Sequence, residues 1–233
     1  MPYSVGELRK ELRARASPKR AKILAGFFKT GEGEYGEGDV FLGVTVPETR
    51  KIAQRFSDPS LADIAKLIRS GIHEERLLAL LILVHKFEKG NSRSQKHIFD
   101  FYLKHTKYIN NWDLVDLTAP KIVGTYLMHR PRNVLYKLAR SDSIWERRIG
   151  ILATYTFLKV GEFKDTLAIS RILLNDPHDL IHKAVGWMLR EVGKQSQTAE
   201  EQFLKKHYKT MPRTMLRYAI ERFPKRLRGA YLI

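Results

Sequence analysis

Apolar residues recur along the chain at the three-and-four spacing of amphipathic helices, and no stretch alternates as a half-buried strand requires. Ser4 and Glu7 have the S-x-x-E spacing of a capping box, and Leu8 and Leu12 follow one turn apart, which predicts a first helix over 4–16. Ser17-Pro18 reads as an N-cap followed by proline at the first helical position, and Thr45-Val46-Pro47-Glu48 as the capped start of a later helix. The same pattern predicts helices near 60–70, 73–89, 92–108, 111–129, 131–141, 143–160, 162–174, 178–194, 198–209 and 212–223.

The longest apolar stretch, Leu77 to Val84, is hydrophobic on every face, so its helix belongs in the core between neighbours. From there the first helices of successive pairs start near 73, 111, 144, 178 and 212, a period close to that of two-helix repeats of the HEAT or tetratricopeptide kind. Short connections at Arg130-Pro131, Asp142-Ser143 and Asp176-Pro177 force antiparallel neighbours. The expected architecture is an all-α solenoid over 1–233, a superhelix with one concave face. Pro120 lacks an amide donor and should break the helix 111–129 just before it, isolating the short segment Asn111 to Thr118. The glycine-rich, acidic stretch Thr30 to Gly43 reads as a surface loop or lid, so 30–44 is expected as a surface insertion.

Charge changes the picture from fold to partner. The 233 residues carry 42 Lys and Arg against 25 Asp and Glu, a net charge of +17, which attracts polyanions at long range and makes nucleic acid the leading partner class. An anionic membrane would need an amphipathic anchor or a lipidation site, and neither is apparent. The chain has no cysteine, which removes disulfides, thiolate nucleophiles and thiolate-bound metals. Met1-Pro2-Tyr3-Ser4 leads into a charged helical pattern without an apolar targeting region, so the expectation is a cytoplasmic protein, in a bacterium close to the nucleoid; a monomer is expected.

Two motifs are set aside on context. Gly31, Gly33 and Gly36 spell G-x-G-x-x-G, but no strand precedes them and Glu32, Glu34 and Glu37 would repel a pyrophosphate. His178 and His182 lie four apart as zinc ligands do, yet Asp179 replaces the usual glutamate and no third ligand is evident, so groove-facing or capping histidines are expected there and no cofactor is called for.

The tryptophan segments carry more. Trp112 and Asp116 are four apart before Pro120, so ring and carboxylate emerge on one helical face one turn apart, while Asp113 points elsewhere. Trp145 lies three residues before Arg148, and Trp187 is followed by Arg190 and Glu191. Any single tryptophan is explained by helix packing. Three on equivalent faces of consecutive repeats, each with ionic neighbours, suggest an aromatic-lined, positively charged cleft.

Asn111-Trp112-Asp113-Leu114-Val115-Asp116, Ile144-Trp145-Glu146-Arg147-Arg148 and Lys183 to Glu191 resemble three signature stretches of the AlkD-like DNA alkylation repair glycosylases, and Phe41-Leu42-Gly43-Val44 followed by Pro47-Glu48-Thr49-Arg50 resembles a fourth. The four stand in the family's order. The resemblance implies a right-handed α-α superhelix of HEAT-like repeats with a concave basic groove, which removes cationic N3- and N7-alkylated purines such as 3-methyladenine and 7-methylguanine from double-stranded DNA. It places the catalytic positions on Trp112, Asp116, Arg148 and Trp187. DNA contacts are expected from Phe27, Arg148, Lys183 and Arg190, with Phe27 standing where some members carry tyrosine.

The implied chemistry is simple. An alkylated purine is already a cation and leaves without a general acid, so the demand falls on the positive charge that develops on the deoxyribose. A carboxylate beside C1′ meets that charge and orients water, the role expected of Asp116. Trp112 and Trp187 offer electron-rich faces, and Arg148 suits a forked bond to the neighbouring phosphate. The competing readings are a non-catalytic DNA-binding scaffold for damaged or branched DNA and a scaffold for acidic proteins.

Overall fold

A computed structural model describes residues 4–232. Met1 to Tyr3, on which the expected absence of a targeting region rests, and Ile233 lie outside the described residues. The architecture is all-α, and the β pairing among the described residues is an isolated parallel bridge between Val40 and Ile72. The chain forms two compact units, one up to Thr118 and one from Ala119.

In the first unit the caps form where the sequence places them. Ser4 and Glu7 close a reciprocal capping box on α1 (Val5–Arg13), Ser17 caps α2 (Pro18–Phe27), and Thr45 with Glu48 boxes the start of α3 (Val46–Arg55). Then come α4 (Leu61–Ile68), α5 (His73–Lys89), α6 (Ser92–Lys104), a 3₁₀ turn at Thr106–Tyr108 and α7 (Trp112–Asp116). The predicted helix 92–108 is thus closed at Lys104 and finished by the 3₁₀ turn.

Helix α5 is the axis of this unit. Leu77 to Val84 are all buried, and α1, α3, α4, α6 and α7 pack around them. Each buried leucine or isoleucine contributes about 1.5–3 kcal/mol of transfer free energy. The first turn of the same helix, His73-Glu74-Glu75-Arg76, is charged and also buried, so every one of these groups must have a partner. Glu75 meets Arg9 of α1 at 3.0 Å. Glu74 accepts from the amides of Leu42, Gly43 and Val44 at 2.8–3.2 Å.

That last contact corrects the reading of residues 30–44 as a surface insertion. Gly31 to Gly38 are largely exposed, but Asp39 turns inward and Phe41, Gly43 and Val44 are buried, drawn in by the Glu74 carboxylate and by the Val40–Ile72 bridge. Gly43 has φ +82° and a side chain there would collide with the Ser17 carbonyl, so only glycine lets α2 start against this strand of loop.

In the second unit Pro120 opens a π-helical turn, Pro120–Gly124, that leads into α8 (Thr125–Leu127). The predicted break before Pro120 is therefore present, and α7 is the isolated segment it leaves. Next are α9 (Asn133–Leu138), α10 (Ile144–Leu152), α11 (Tyr155–Leu158), α12 (Lys164–Ile172), α13 (Asp179–Gln195), α14 (Gln197–His207) and α15 (Arg213–Ala219). The predicted 143–160 helix is two pieces joined at Ala153-Thr154, where the Thr154 hydroxyl donates to its own Ile151 carbonyl at 2.7 Å. A 3₁₀ turn at Ile220–Arg222 and α16 (Lys225–Tyr231), which the periodicity does not mark, complete the unit. Here α13 is the axis, packed by α10, α11, α12, α14 and α15. At Gly186 a side chain would run into the Met215 carbonyl, so glycine permits the close crossing of α13 and α15.

Candidate active site

Five residues make α7, too few to be stable alone, so its position is imposed by its surroundings. Asn111 is fully buried and fastens it from both ends of its amide. Its Oδ1 accepts from the Trp112 amide at 2.8 Å and its Nδ2 donates to Asp39 Oδ2 at 3.2 Å. Trp112 and Asp116 are partly exposed at the two ends of the helix, one turn apart as the spacing predicts. The Asp116 charge reaches Tyr102, whose phenol is pushed up first by burial and further by that carboxylate. Tyr102 itself is fully buried against Thr118, 2.9 Å away.

Asp113, on the opposite side of α7, turns into the protein. Its Oδ1 accepts from the Leu114 amide at 2.8 Å and its Oδ2 lies 2.9 Å from His73 Nε2. The other His73 nitrogen is 3.1 Å from Asp39 Oδ2, and Arg76 donates to Asp39 Oδ1 at 2.6 Å and to the Ser70 carbonyl at 2.9 Å. Each ring nitrogen thus faces a carboxylate oxygen, and since ionised carboxylates only accept, this arrangement favours the doubly protonated ring. Burial alone would push its pKa down, but the bonds to Asp113 and Asp39 outweigh it and raise the pKa. For Asp39 burial works upward and is overcome by the His73 bond and the Arg76 charge, which leave its pKa lowered.

Above this network runs a stack of rings. Trp112 lies on Phe28 (centroids 5.1 Å, 19°), Phe28 on Phe41 (5.1 Å, 18°) and Phe41 on His73 (4.5 Å, 23°). Phe27 meets Trp112 edge-on at 5.8 Å and is 62% exposed, so this predicted DNA contact stands beside Trp112 with its ring in solvent. Beneath α2 the rings of Phe28 and Phe41 wall a half-open pocket of about 360 Å³, also lined by Leu24, Val44, Pro47 and Leu77. The sequence singles out none of Asp39, His73 or Phe28. The available signal is the charged first turn of an otherwise apolar core helix.

The remaining candidates lie in the second unit. Arg148 on α10 is 5% exposed, and its Nη1 donates to the Leu180 carbonyl in the first turn of α13 at 2.5 Å. Its expected forked bond to a phosphate thus starts from a guanidinium already held to backbone. Trp187 is partly exposed, donates Nε1 to Glu191 at 3.1 Å, and has Tyr155 at 6.1 Å. Trp145 is buried and belongs to the packing. Lys183 pairs with Asp179 at 2.7 Å, and Arg190 pairs with Glu221, so both predicted phosphate ligands meet carboxylates on the protein. His178 caps α13 by accepting from the Leu180 amide, and His182 Nε2 bonds the Asp176 carbonyl at 2.5 Å. His178 is thus a cap and His182 ties α13 to the preceding loop, and among the described residues no three His, Asp or Glu converge as a metal site. In the G-x-G-x-x-G stretch, Glu34 and Glu37 accept from the Gly31 and Gly33 amides, where a nucleotide phosphate would have to sit.

Comparison with known proteins bears on these arrangements. The sequence profile of the DNA alkylation repair enzymes matches residues 8–223. The structure of a predicted DNA alkylation repair enzyme from Enterococcus faecalis superposes with a TM-score of 0.71 at 16% identity, over 91% of this chain and 98% of that one. At that identity the likeness shows the fold. None of the curated proteins matches the sequence. No helix among the described residues is long and apolar enough to cross a membrane.

Proposed function

The chain belongs to the family of DNA alkylation repair enzymes, which gives it a role in DNA repair, and from that premise we propose that it is a glycosylase hydrolysing the N-glycosidic bond of cationic N3- and N7-alkylated purines in duplex DNA. The observation that carries this reading is the pair Trp112 and Asp116, partly exposed one turn apart on a helix whose other carboxylate, Asp113, is consumed inside. A partly exposed carboxylate on a protein of net charge +17 disfavours binding to phosphates, and so needs a reason other than affinity.

In this mechanism the alkylated base departs neutral. Asp116 faces the deoxyribose, and its negative charge strengthens in interaction as the sugar becomes cationic. The same carboxylate takes a proton from the water that attacks C1′, leaving the abasic sugar with a hydroxyl. Trp112 presents its ring face to the cation, worth about 0.5–2 kcal/mol. In the second unit the resemblance gives Trp187 as a further aromatic face and Arg148 as a phosphate ligand, each to be tested by its own substitution. Since the leaving group needs no acid, neutral lesions such as uracil or hypoxanthine are poor substrates.

Duplex DNA containing 7-methylguanine, incubated with the protein and with Asp116→Asn, tests this directly. The expected result is free base released by the native protein, release reduced at least roughly 100-fold in the variant, and DNA affinity retained. Equal release by both would remove Asp116 from the chemistry. DNA binding without release by either would make the protein a scaffold for damaged DNA.

A further inference from the structure

Trp112 and Asp116 are only as well placed as α7, and α7 is held by groups far from it in sequence. The holding chain is continuous. Arg76 and His73 on α5 grip Asp39, Asp39 accepts from Asn111, and Asn111 caps α7. A second arm runs from His73 Nε2 to Asp113 in the first turn of α7. Side chains of His73, Asp39, Arg76 and Asp113 are each at most 6% exposed. We propose that His73 is the positioning residue of this site, its doubly protonated ring clamping the loop carboxylate Asp39 and the α7 carboxylate Asp113 together so that Trp112 and Asp116 are held in register with the sugar. This rests on the reading of α7 as the site of base release.

The physical reason lies in the donor count. An imidazolium offers two N–H groups to two carboxylates. A neutral imidazole offers one, and turns a lone pair toward the other carboxylate. Losing the proton therefore breaks one arm and leaves Asp39 and Asp113 with only Arg76 as buried counter-charge in the network. The charged groups facing His73 are Asp39 from the loop, Asp113 from α7 and Arg76 and Glu74 from α5, while Arg20 from α2 lines the same pocket. Glu74 is occupied by three amides and Arg20 by the Gly43 carbonyl, so neither replaces the lost bond. Phe41, stacked on the His73 ring, continues the contact through Phe28 to Trp112.

The test follows the histidine and α7 together. In the full-length protein, NMR of His73 and of the Trp112 to Leu117 amides is recorded across pH 5.5 to 9, alongside the pH profile of base release. The expected result is a His73 midpoint above the ordinary 6.5, α7 signals that shift with that same midpoint, and kcat falling on the same alkaline limb at constant KM. His73→Gln should remove that midpoint and lower kcat roughly 10- to 100-fold with DNA affinity unchanged, since a misplacement near 1 Å suffices for such a loss. Constant α7 signals through the His73 titration, or His73→Gln with the native kcat and pH profile, overturn the proposal. If His73→Gln does not fold, co-titration in the native protein decides, together with Asp113→Asn, which should uncouple the α7 signals from His73. If the native protein releases no base, the glycosylase reading fails and the NMR arm still decides whether His73 positions α7.

Discussion

The indole of Trp112 lies on the ring of Phe28, centroids 5.1 Å apart and planes 19° from parallel. One face of the proposed lesion contact is thereby fixed by a residue that the family-like motifs do not include.

Removing that support is a direct test of how the ring is held. Phe28 is 6% exposed, so Phe28→Ala should cost about 3–5 kcal/mol in urea unfolding and release the Trp112 ring. Phe28→Leu should restore much of the stability without the stack. If Trp112 were simply a packing residue, the leucine variant would regain activity along with stability. The expected outcome is recovery of the unfolding midpoint with kcat still depressed.

Stability should also fall as pH rises through neutrality, because of Glu200. This α14 carboxyl is 1% exposed, one of its oxygens has no hydrogen-bond partner, and burial, helped by the Glu201 charge, pushes its pKa up to about 8. In the unfolded chain it titrates near 4.5. Between those two values the folded state binds the extra proton, so its stabilising contribution is complete below pH 4.5 and lost by pH 8, on the order of 3–5 kcal/mol. Glu200→Gln should be nearly flat over that range. Denaturation curves at pH 5 and pH 8 check this, and equal differences for both proteins would show that Glu200 ionises freely in the fold.

Arg190 is expected to contact DNA, yet it is paired with Glu221. A phosphate has to displace that carboxylate, so Glu221→Gln should tighten binding to undamaged duplex several-fold at low salt and steepen its dependence on log salt by about one phosphate contact. Arg190→Ala on the native background should cost little. A large loss from Arg190→Ala would show that DNA already holds Arg190 in place of Glu221.

Local rules account for most of what could be read in advance. The capping boxes at Ser4 and Thr45, the Ser17-Pro18 start and the break at Pro120 depend on residues within one turn of each other, and all are present. So is the placing of Trp112 and Asp116 on one short helix. What escaped was long-range and electrostatic. Asp39 meets His73 across 34 residues and His73 meets Asp113 across 40, and no periodicity links them. The exposed glutamates of the acidic loop follow from composition, whereas the inward turn at Asp39 to Val44 depends on His73, Arg76 and Glu74, more than thirty residues away. The burial of Arg148 and its bond to the Leu180 carbonyl in the first turn of α13 are likewise contacts that spacing cannot reveal.

Helix α2 has no fully buried residue, while its neighbour α5 is buried on every face. Its amides should accordingly exchange with deuterium through a small local opening, whereas those of α5 wait for global unfolding. The pocket below α2 and the ring of Phe27 at its end then belong to a part of the first unit that opens more easily than α5. Contact with DNA at Phe27 would order that part, and slower deuterium uptake by Pro18 to Phe28 would report it before any chemistry occurs.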